Sequence, residues 1–482
     1  MIEFLIAPVL FLAAFLAAIG ATFCLMGLMR VFRSKEGFLP YIFYTSTFIN
    51  TLMIINQGRN LFVLTEPEDI SLEPSSYVIW IARINTALVL FSACQRIAKR
   101  LTHYGSTPKT PTLLIIAFLF FFFTNVFTAA FFSAHPSFEH EYVYLVLVGT
   151  ASLLFVQGEE ETAISMARNA YFIFLVISAG FIFWKPELVI DNDYLEGLIP
   201  GLTYRYAGLT SHPNSLGLIT TLFLLCLWNK PFSSRWINVL AWTIGYSSLV
   251  LAQSKTCWIS FMVCMSCLGY FKYGALLKQR FFDFKSPILP AICILMAMIT
   301  GIIMSGVAML GDIGDKVNSF FSTRVGADLM TMTGRTMIWE IALNEWHNSP
   351  LFGYGLTIWD AAHRAKIGMG FAVSAHSQFY QTLASAGIVG VTGLLIYVTT
   401  LFWFTLKTAR SSQGLTIAIF LMLFFRSISE VSIDVTGYFN LEGLAHVLLL
   451  MIVAAQFKSD SIRKPKDSPM KHHVFVSFRG IN

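Results

Sequence analysis

The sequence carries little charge for its length. Only 12% of its 482 residues are Asp, Glu, Lys or Arg, whereas 56% are hydrophobic and the mean hydropathy is +0.66. A soluble domain has about 25% charged residues, so this chain has too few charged side chains to cover a water-facing surface. The composition excludes a soluble enzyme and predicts an integral membrane protein.

The sequence also lacks the patterns of a disulfide framework or a zinc site. Its seven cysteines lie in or beside apolar runs, and the Cys-x-x-Cys formed by Cys264 and Cys267 has no second pair at zinc spacing. We interpret the cysteines as small packing residues. We predict no metal and no cofactor, and we do not interpret the net charge of +6 as a nucleic-acid-binding surface.

Long hydrophobic runs recur along the whole chain instead. A run of about 20 apolar residues crosses a bilayer as a helix, and this rule predicts an all-α membrane protein with about 12–13 transmembrane helices. The first run lacks a basic leader and a cleavage site, so we predict a retained helix rather than a signal peptide. The predicted spans are 4–29, 38–64, 77–93, 112–133, 142–156, 170–184, 215–228, 236–251, 257–271, 288–310, 379–406, 415–425 and 438–457.

The positions of the basic residues predict the orientation, because Lys and Arg concentrate in cytoplasmic loops. They follow alternate spans, for example Arg96, Lys99 and Arg100, and the intervening loops carry acids such as Glu187 and Asp191. The segment 157–169 disagrees, since we interpret it as a cytoplasmic connection although it holds three consecutive glutamates. The C-terminal tail has a net charge of +4 and is predicted to be cytoplasmic.

Two outer connections are too long to be simple turns. We therefore divide the chain into N-terminal transmembrane helices (1–184), central helices (185–310) that include an outer loop (185–214), and a large, partly helical outer cap (311–378). C-terminal helices (379–457) and the basic tail (458–482) complete it. The cap is rich in aromatic residues, which indicates a folded region rather than a disordered one.

A helix is predicted in the cap over 336–346, with Thr333 or Thr336 as its N-cap. Pro350 would end it, and Gly353 and Gly355 would supply a tight turn. Arg335 would then lie at the helix N-terminus, where its guanidinium and the backbone N–H groups suit an anion such as a diphosphate. The alternative is a structural arginine on a loop.

Three further residues at the outer boundary are candidates for chemistry. His376 ends the long cap and begins the next span, where it is the best placed base, although a histidine at a helix start is often only a satisfied polar residue. Arg205 near the end of the outer loop and Lys255 in a short turn are boundary cations, which are functional candidates. Trp339, Trp359 and Tyr354 are candidate sugar contacts or else residues of the cap core. Asp312 and Asp315 we interpret as loop acids.

Together these segments resemble the O-antigen ligase and polymerase superfamily, the multispan glycosyltransferases of lipid-linked glycans. The resemblance extends from about residue 203 to about residue 396 and is closest to exopolysaccharide polymerases. Lys255 stands where the family often has arginine, and Ser377 where it commonly has asparagine. The motifs are Arg205-x-x-Gly208 leading to Pro213-Asn214, Ser254-Lys255-Thr256, Gly334-Arg335-x-x-x-Trp339, Pro350-Leu351-x-Gly353-x-Gly355 and His376-Ser377-x-Phe379.

The resemblance implies an inverting, metal-independent glycosyltransferase of the bacterial inner membrane, with its active site facing the periplasm. Its substrate would be an undecaprenyl-diphosphate-linked glycan in the lipid bilayer, and a chain-length regulator and a flippase would be further partners. The family's arginines hold the diphosphate, which matches Arg205, Arg335 and, less securely, Lys255. Its histidine deprotonates the acceptor hydroxyl, which matches His376.

Three functions stay open at this point. A polymerase would join lipid-linked repeat units, and a ligase would transfer the glycan to lipid A core. A transporter of lipid-linked sugars would make no bond, but transporters tend to show internal repeats and mid-membrane sites, whereas no repeat is found here and the polar residues gather at one face.

Overall fold

The computed structural model describes residues 39–62, 75–102, 110–192, 202–281, 335–370, 372–433 and 443–462, together with 199, 295, 298 and 441. Helices account for most of this part of the chain. The predicted span 4–29, nearly all of 288–310, the acids Asp312 and Asp315, Gly334 and most of the basic tail lie outside the described residues. The helices are α1 Ile42–Gln57, α2 Ser76–Thr102, α3 Thr112–Phe132, α4 Tyr142–Ser152, α5 Glu159–Trp184, α6 Pro213–Asn229, α7 Arg235–Leu251, α8 Lys255–Phe281, α9 Arg335–Asn348, α10 Ala361–Lys366, α11 Gln378–Thr408, α12 Leu415–Ser429 and α13 Gly443–Ile462.

The prediction of an all-α integral membrane protein is confirmed. Among the described helices, α2, α3, α5, α8 and α11 are long and apolar enough to cross a membrane. Helices α4, α6, α12 and the part of α13 over Gly443–Phe457 are apolar but shorter. Nearly every residue of α6 is buried, so this short helix lies inside the bundle, where its neighbours rather than lipid cover it. Nine of the predicted spans therefore correspond to described apolar helices of unequal length.

The charged groups that predicted the cytoplasmic side lie together at one end of the bundle, which we call the inner end. Arg96 at the end of α2 pairs with Glu159 at 2.7 Å, and Lys230 after α6 pairs with Glu161 at 2.9 Å. Glu160 accepts from Gln456 Nε2 of α13 at 2.8 Å. The interpretation of 157–169 as a connection is wrong, because α5 begins at Glu159. The three glutamates occupy the first turn of that helix, where acids suit the helix dipole, and their cationic neighbours explain an acidic stretch at a basic end.

The outer loop 185–214 contains structure that the hydropathy pattern did not predict. Strand β1, Ile190–Asp191, pairs antiparallel with β2, Arg205–Tyr206. Arg59, which follows α1 and is only 8% exposed, fixes this loop by donating to the carbonyls of Leu188, Gly208 and Ser211. Burial, partly opposed by the charge of Asp191, lowers the pKa of Arg59 to about 10, so the side chain stays charged at neutral pH.

Helix α11 is interrupted near its outer end, and the cap fills the interruption. Gly387 has a positive φ of 63° and a non-helical ψ, so the backbone groups on both sides of it lose their helical partners. Inside a membrane such groups need other partners, and residues 350–355 of the cap supply them. The bonds are Tyr354 N to Ala384 O at 2.8 Å, Gly355 N to Ser385 O at 3.1 Å, Ile388 N to Pro350 O at 3.0 Å and Val389 N to Leu351 O at 3.2 Å.

Two glycines allow this close approach. A Cβ at Gly353 would lie 2.6 Å from Ala384 O, and one at Gly387 would collide with the backbone of Leu351. We call the four hydrogen bonds and the two glycines the clasp. Because the clasp fixes the cap to α11, it also fixes the cap relative to His376 at the start of that helix. A small core between α9, the clasp and α11 completes the cap, formed by Ile338, Ala342, Tyr354, Ile358, Trp359, Met369, Ala372, Ala375 and Ala384.

Candidate functional site

A hydrogen-bonded network joins five polar side chains at the outer end of the bundle. Glu430, which directly follows α12, lies at its centre. Its Oε1 accepts from Arg335 Nη2 at 3.0 Å and from Asn214 Nδ2 at 3.3 Å, and its Oε2 is 2.8 Å from His376 Nδ1. Arg205 Nη2 completes the network by donating to Asn214 Oδ1 at 2.9 Å. Four separate parts of the chain therefore meet here: the outer loop with α6, the cap, the start of α11 and the end of α12.

Three of the residues predicted from the sequence are thus brought together: Arg205, Arg335 and His376. Arg335 is the first residue of α9, so its predicted place at a helix N-terminus is correct, while Thr336 lies inside the helix and is not its N-cap. The guanidinium of Arg335 also donates to Ser429 O. Arg205 is 9% exposed and donates through Nε to Ala252 O at 3.1 Å. Both guanidinium groups are held in place by acceptors of the protein itself.

Glu430 was not predicted as a site residue. Burial acts to raise its pKa, but the hydrogen bond from His376 and the charges of Arg426 and Arg335 outweigh it and lower the pKa to about 2. The carboxyl group is therefore ionised at any physiological pH. A signal was available in the sequence, since Arg426 and Glu430 are charged residues at the edge of an apolar span, and such boundary charges are functional candidates of either sign.

The geometry of His376 suits a base. Because the ionised Glu430 can only accept, Nδ1 must carry the proton, and the neutral ring then has its lone pair on Nε2. No described residue is bonded to Nε2, and 28% of the side chain is exposed. The backbone of His376 has a positive φ of 47°, a conformation that costs energy in a non-glycine residue. The neighbouring Ala375 is held there from both sides, by Gln381 Oε1 at its N–H and by Trp339 Nε1 at its carbonyl, each at 2.9 Å.

Lys255 lies beside this network without joining it. It is the first residue of α8, and the next residue, Thr256, accepts at Oγ1 from Ser429 Oγ at 3.4 Å. The ammonium group makes no hydrogen bond or ion pair with a described residue. The turn before it supplies Ala252, the carbonyl partner of Arg205. Residues near Lys255 in the chain therefore bond Arg205 directly, through Ala252. They also contact Ser429, which accepts from Arg335.

The predicted sugar contacts differ in their surroundings. The Trp339 ring stacks on Tyr380 with centroids 4.7 Å apart, one helical turn after Arg335 and next to His376. Tyr354 and Trp359 are each 8% exposed and belong to the cap core. Tyr354 also packs against the rings of His135 and His363. The burial of Tyr354 and Trp359 favours the alternative interpretation, that they are residues of the cap core. A sugar contact at Trp339 stays a prediction, which its position near Arg335 and His376 supports.

The described part of the chain contains no candidate metal centre. There, no group of three or more His, Cys, Asp or Glu side chains is arranged to hold a metal ion.

The described part of the site contains more positive than negative charge. Helix α12 contributes one further buried cation, Arg426, whose Nη1 donates to Asn214 O at 3.1 Å. Among the described residues, the cations around Glu430 thus outnumber the single carboxylate, and this excess of positive charge suits an anionic ligand.

Comparison with known proteins matches a region that contains part of this site. Residues 239–395 match the family model described as O-antigen ligase, and no curated protein matches the chain. The matched region includes Lys255, Arg335 and His376, while Arg205, Asn214 and Glu430 lie outside it. Members of this family are glycosyltransferase-like enzymes that act on lipid-linked glycans in membranes. The match confirms, over this region of the chain, the resemblance to the O-antigen ligase and polymerase superfamily that the motifs indicated.

Proposed function

We propose that the protein is an inner-membrane glycosyltransferase that polymerises undecaprenyl-diphosphate-linked oligosaccharide repeat units on the periplasmic side. The observation that supports this most strongly is the network around Glu430, in which a histidine with an open Nε2 lies beside two fixed guanidinium groups. A base for an acceptor hydroxyl and a cationic grip for a diphosphate are the two elements that glycosyl transfer from a lipid diphosphate requires.

His376 is the proposed base. The acceptor hydroxyl gives its proton to Nε2, and its oxygen attacks the anomeric carbon of the donor sugar. The bond between that carbon and the diphosphate oxygen breaks, and the electron pair leaves with the lipid diphosphate. Because the attack comes from the face opposite the leaving group, the configuration at the anomeric carbon is inverted. Glu430 keeps the proton of the imidazole on Nδ1 and stabilises the imidazolium that forms.

Arg205, Arg335 and Lys255 are the proposed diphosphate ligands. A guanidinium stays charged at all relevant pH values and offers a planar fork of donors, so it can stabilise the negative charge that grows on the diphosphate as the bond breaks. Lys255 supplies a mobile point charge instead of a fork. With this much fixed positive charge, we propose that the transfer proceeds without a metal ion.

The polymerase is favoured over a ligase by a resemblance to exopolysaccharide polymerases. Two motifs carry this resemblance, Gly334-Arg335-Thr336-x-Ile338-Trp339 and Pro350-Leu351-Phe352-Gly353-Tyr354-Gly355. A ligase that transfers the glycan to lipid A core is the second candidate, since the matching family model is described as O-antigen ligase. The interruption in α11 resembles the broken helices of transporters. Its freed backbone groups, however, are bonded to the cap rather than open to a substrate, which argues against transport.

The proposal is tested by complementation of a strain that lacks the gene. We expect His376→Ala and Arg335→Ala to insert normally and to abolish long polysaccharide chains, as seen on gels of cell-surface glycan. His347→Ala is the matched control, because His347 is an exposed cap histidine whose ring contacts a backbone carbonyl and the adjacent Trp346 ring but no residue of the network. Retained single repeat units identify a polymerase, and loss of all glycan on lipid A core identifies a ligase. Normal glycan in both variants would refute the proposed function.

A further inference from the structure

Asn214 is bonded to four polar side chains at the site, although no chemical role has been proposed for it. It is the second residue of α6, and both its backbone and its amide group are engaged. Its Oδ1 and Nδ2 bond Arg205 and Glu430, as described above. Its backbone N–H donates to His212 Nδ1 at 3.1 Å, and its carbonyl accepts from Arg426. Charged groups on three different elements are therefore held relative to this one residue.

The chemistry of the two side-chain partners dictates the orientation of the amide. Arginine can only donate hydrogen bonds, and an ionised carboxylate can only accept them. The amide oxygen must therefore face Arg205, and the amide nitrogen must face Glu430. A side chain at this position needs one acceptor and one donor, and it must not add charge between a cation and an anion. Asparagine meets all three requirements, whereas aspartate has the same shape and lacks the donor.

We infer that Asn214 is a positioning residue that sets the distance between the diphosphate-binding half of the site, at Arg205, and the base, at His376. The inference rests on the proposed function, since it concerns the same site. Asn214 acts through its two partners and need not touch the substrate. Glu430 is bonded to Asn214 and to His376 at once, so a displacement of Asn214 moves the base away from the sugar whose diphosphate Arg205 holds. Glycosyl transfer is sensitive to such displacements because the reacting atoms must be aligned.

Asn214→Asp tests this inference through the pH dependence of the reaction. The new carboxylate keeps the acceptor for Arg205 but loses the donor to Glu430, and it places two negative charges in hydrogen-bond contact. One carboxyl of such a pair binds a proton more readily than usual. As the pH falls, that proton restores a donor between the two groups. We expect a loss of about tenfold or more in transfer rate at high pH, and a ratio of variant to wild-type rate that rises as the pH is lowered.

The charged groups around Glu430 and the carboxyl group introduced by Asn214→Asp influence the pH dependence of the rate. From the outer loop they are Arg205 and His212, from the cap Arg335, from the start of α11 His376, and from α12 Arg426. All are unchanged between wild type and variant. Both proteins share these groups, so the ratio of their rates isolates the contribution of the new carboxyl group.

The rate is measured with purified full-length protein in lipid nanodiscs. The substrate is the polyprenyl-diphosphate-linked oligosaccharide extracted from a strain that lacks the gene. The control is Asn238→Asp on α7, where the amide oxygen accepts from Phe232 N at 3.4 Å, a bond that a carboxylate preserves. We expect the control to follow the wild-type profile. Thermal unfolding of each variant reports whether it is folded.

If Asn214→Asp does not fold, two further variants test the inference. Asn214→Gln keeps a donor and an acceptor, and we expect it to retain part of the activity, whereas Asn214→Leu should lose activity at every pH. A constant ratio of rates for Asn214→Asp across pH, or equal rates for the glutamine and leucine variants, would overturn the inference. If either result is found and His376→Ala is inactive, the inference about Asn214 is wrong but the proposed function still stands. An active His376→Ala would instead refute the proposed function itself.

Discussion

At the scale of single residues, the unexpected member of the site is the carboxylate. Glu430 accepts hydrogen bonds from a proposed diphosphate ligand and from the proposed base, so one side chain sets both the tautomer of His376 and the direction of Arg335. The carboxylate could be expected to repel an anionic substrate. The neighbouring Arg335 and Arg426 offset it, and its own charge is required if Nδ1 of His376 is to hold the proton.

Glu430→Gln should reduce stability in a pH-dependent manner. The pKa of Glu430 is lowered from 4.5 to about 2, so its ionised form stabilises the fold fully above about pH 4.5, and this contribution is lost as the pH falls toward 2. A shift of this size corresponds to about 3 kcal/mol. We expect thermal unfolding in detergent to show a constant gap between wild type and variant from neutral pH to about pH 5, and a shrinking gap below. A gap that does not vary with pH would mean that packing, not charge, is lost.

Some site residues could be predicted from the sequence, and others could not. Arg205 and His376 were identifiable because polar residues at the outer boundary of apolar spans are uncommon, and Arg335 because it precedes a predicted cap helix. Asn214 was identified only as part of the motif that follows Arg205, because nothing in the local sequence indicates which distant charges its amide bonds. Arg59 gave no signal, since its partners are backbone carbonyls 129 to 152 residues away. Long-range contacts with main-chain atoms leave no trace in local composition.

At the scale of elements, the clasp explains why glycine occurs at positions 353 and 387. The sequence predicted a tight turn at Gly353 and Gly355, and both residues have positive φ. It did not predict that this turn would insert its backbone into an interrupted helix. Helix α11 was predicted as a continuous span because apolar runs do not reveal a single residue with non-helical φ and ψ. The predicted helix of the cap, by contrast, was recognisable from its periodicity and differs from α9 by one or two residues at each end.

Gly353→Ala and Gly387→Ala should each destabilise the protein by at least about 2 kcal/mol. Each introduces a Cβ into backbone contact at a residue with positive φ. The matched control is Gly368→Ala, which has a φ of 68° but open space around it, so it carries the conformational cost without the collision. Thermal unfolding measures the difference. Equal losses in all three variants would show that backbone strain alone is responsible and that the clasp contributes nothing.

At the scale of the whole molecule, the two ends of the bundle have different electrostatic characters. At the inner end, cations are paired with glutamates or cover aromatic rings, as Arg168 does over Phe232 and Lys407 over Trp403. At the outer end, the cations of the described residues converge on one carboxylate, Glu430, and outnumber it. The first pattern is typical of helix ends at a membrane surface, where paired charges and aromatic residues mark the interface. The pattern at the outer end concentrates positive charge at the proposed diphosphate-binding site.

This asymmetry predicts which end faces the periplasm. Single cysteines are introduced at two exposed positions, Val373 in the cap and Arg410 after α11, in a background whose native cysteines are replaced by serine or alanine. In intact cells with a permeable outer membrane, a thiol reagent that cannot cross the inner membrane should label Val373→Cys and spare Arg410→Cys. After the inner membrane is opened, both should react. The cysteine-free background measures non-specific labelling. The reverse pattern would place His376 in the cytoplasm, where the proposed polymerase would face the wrong side for joining exported repeat units.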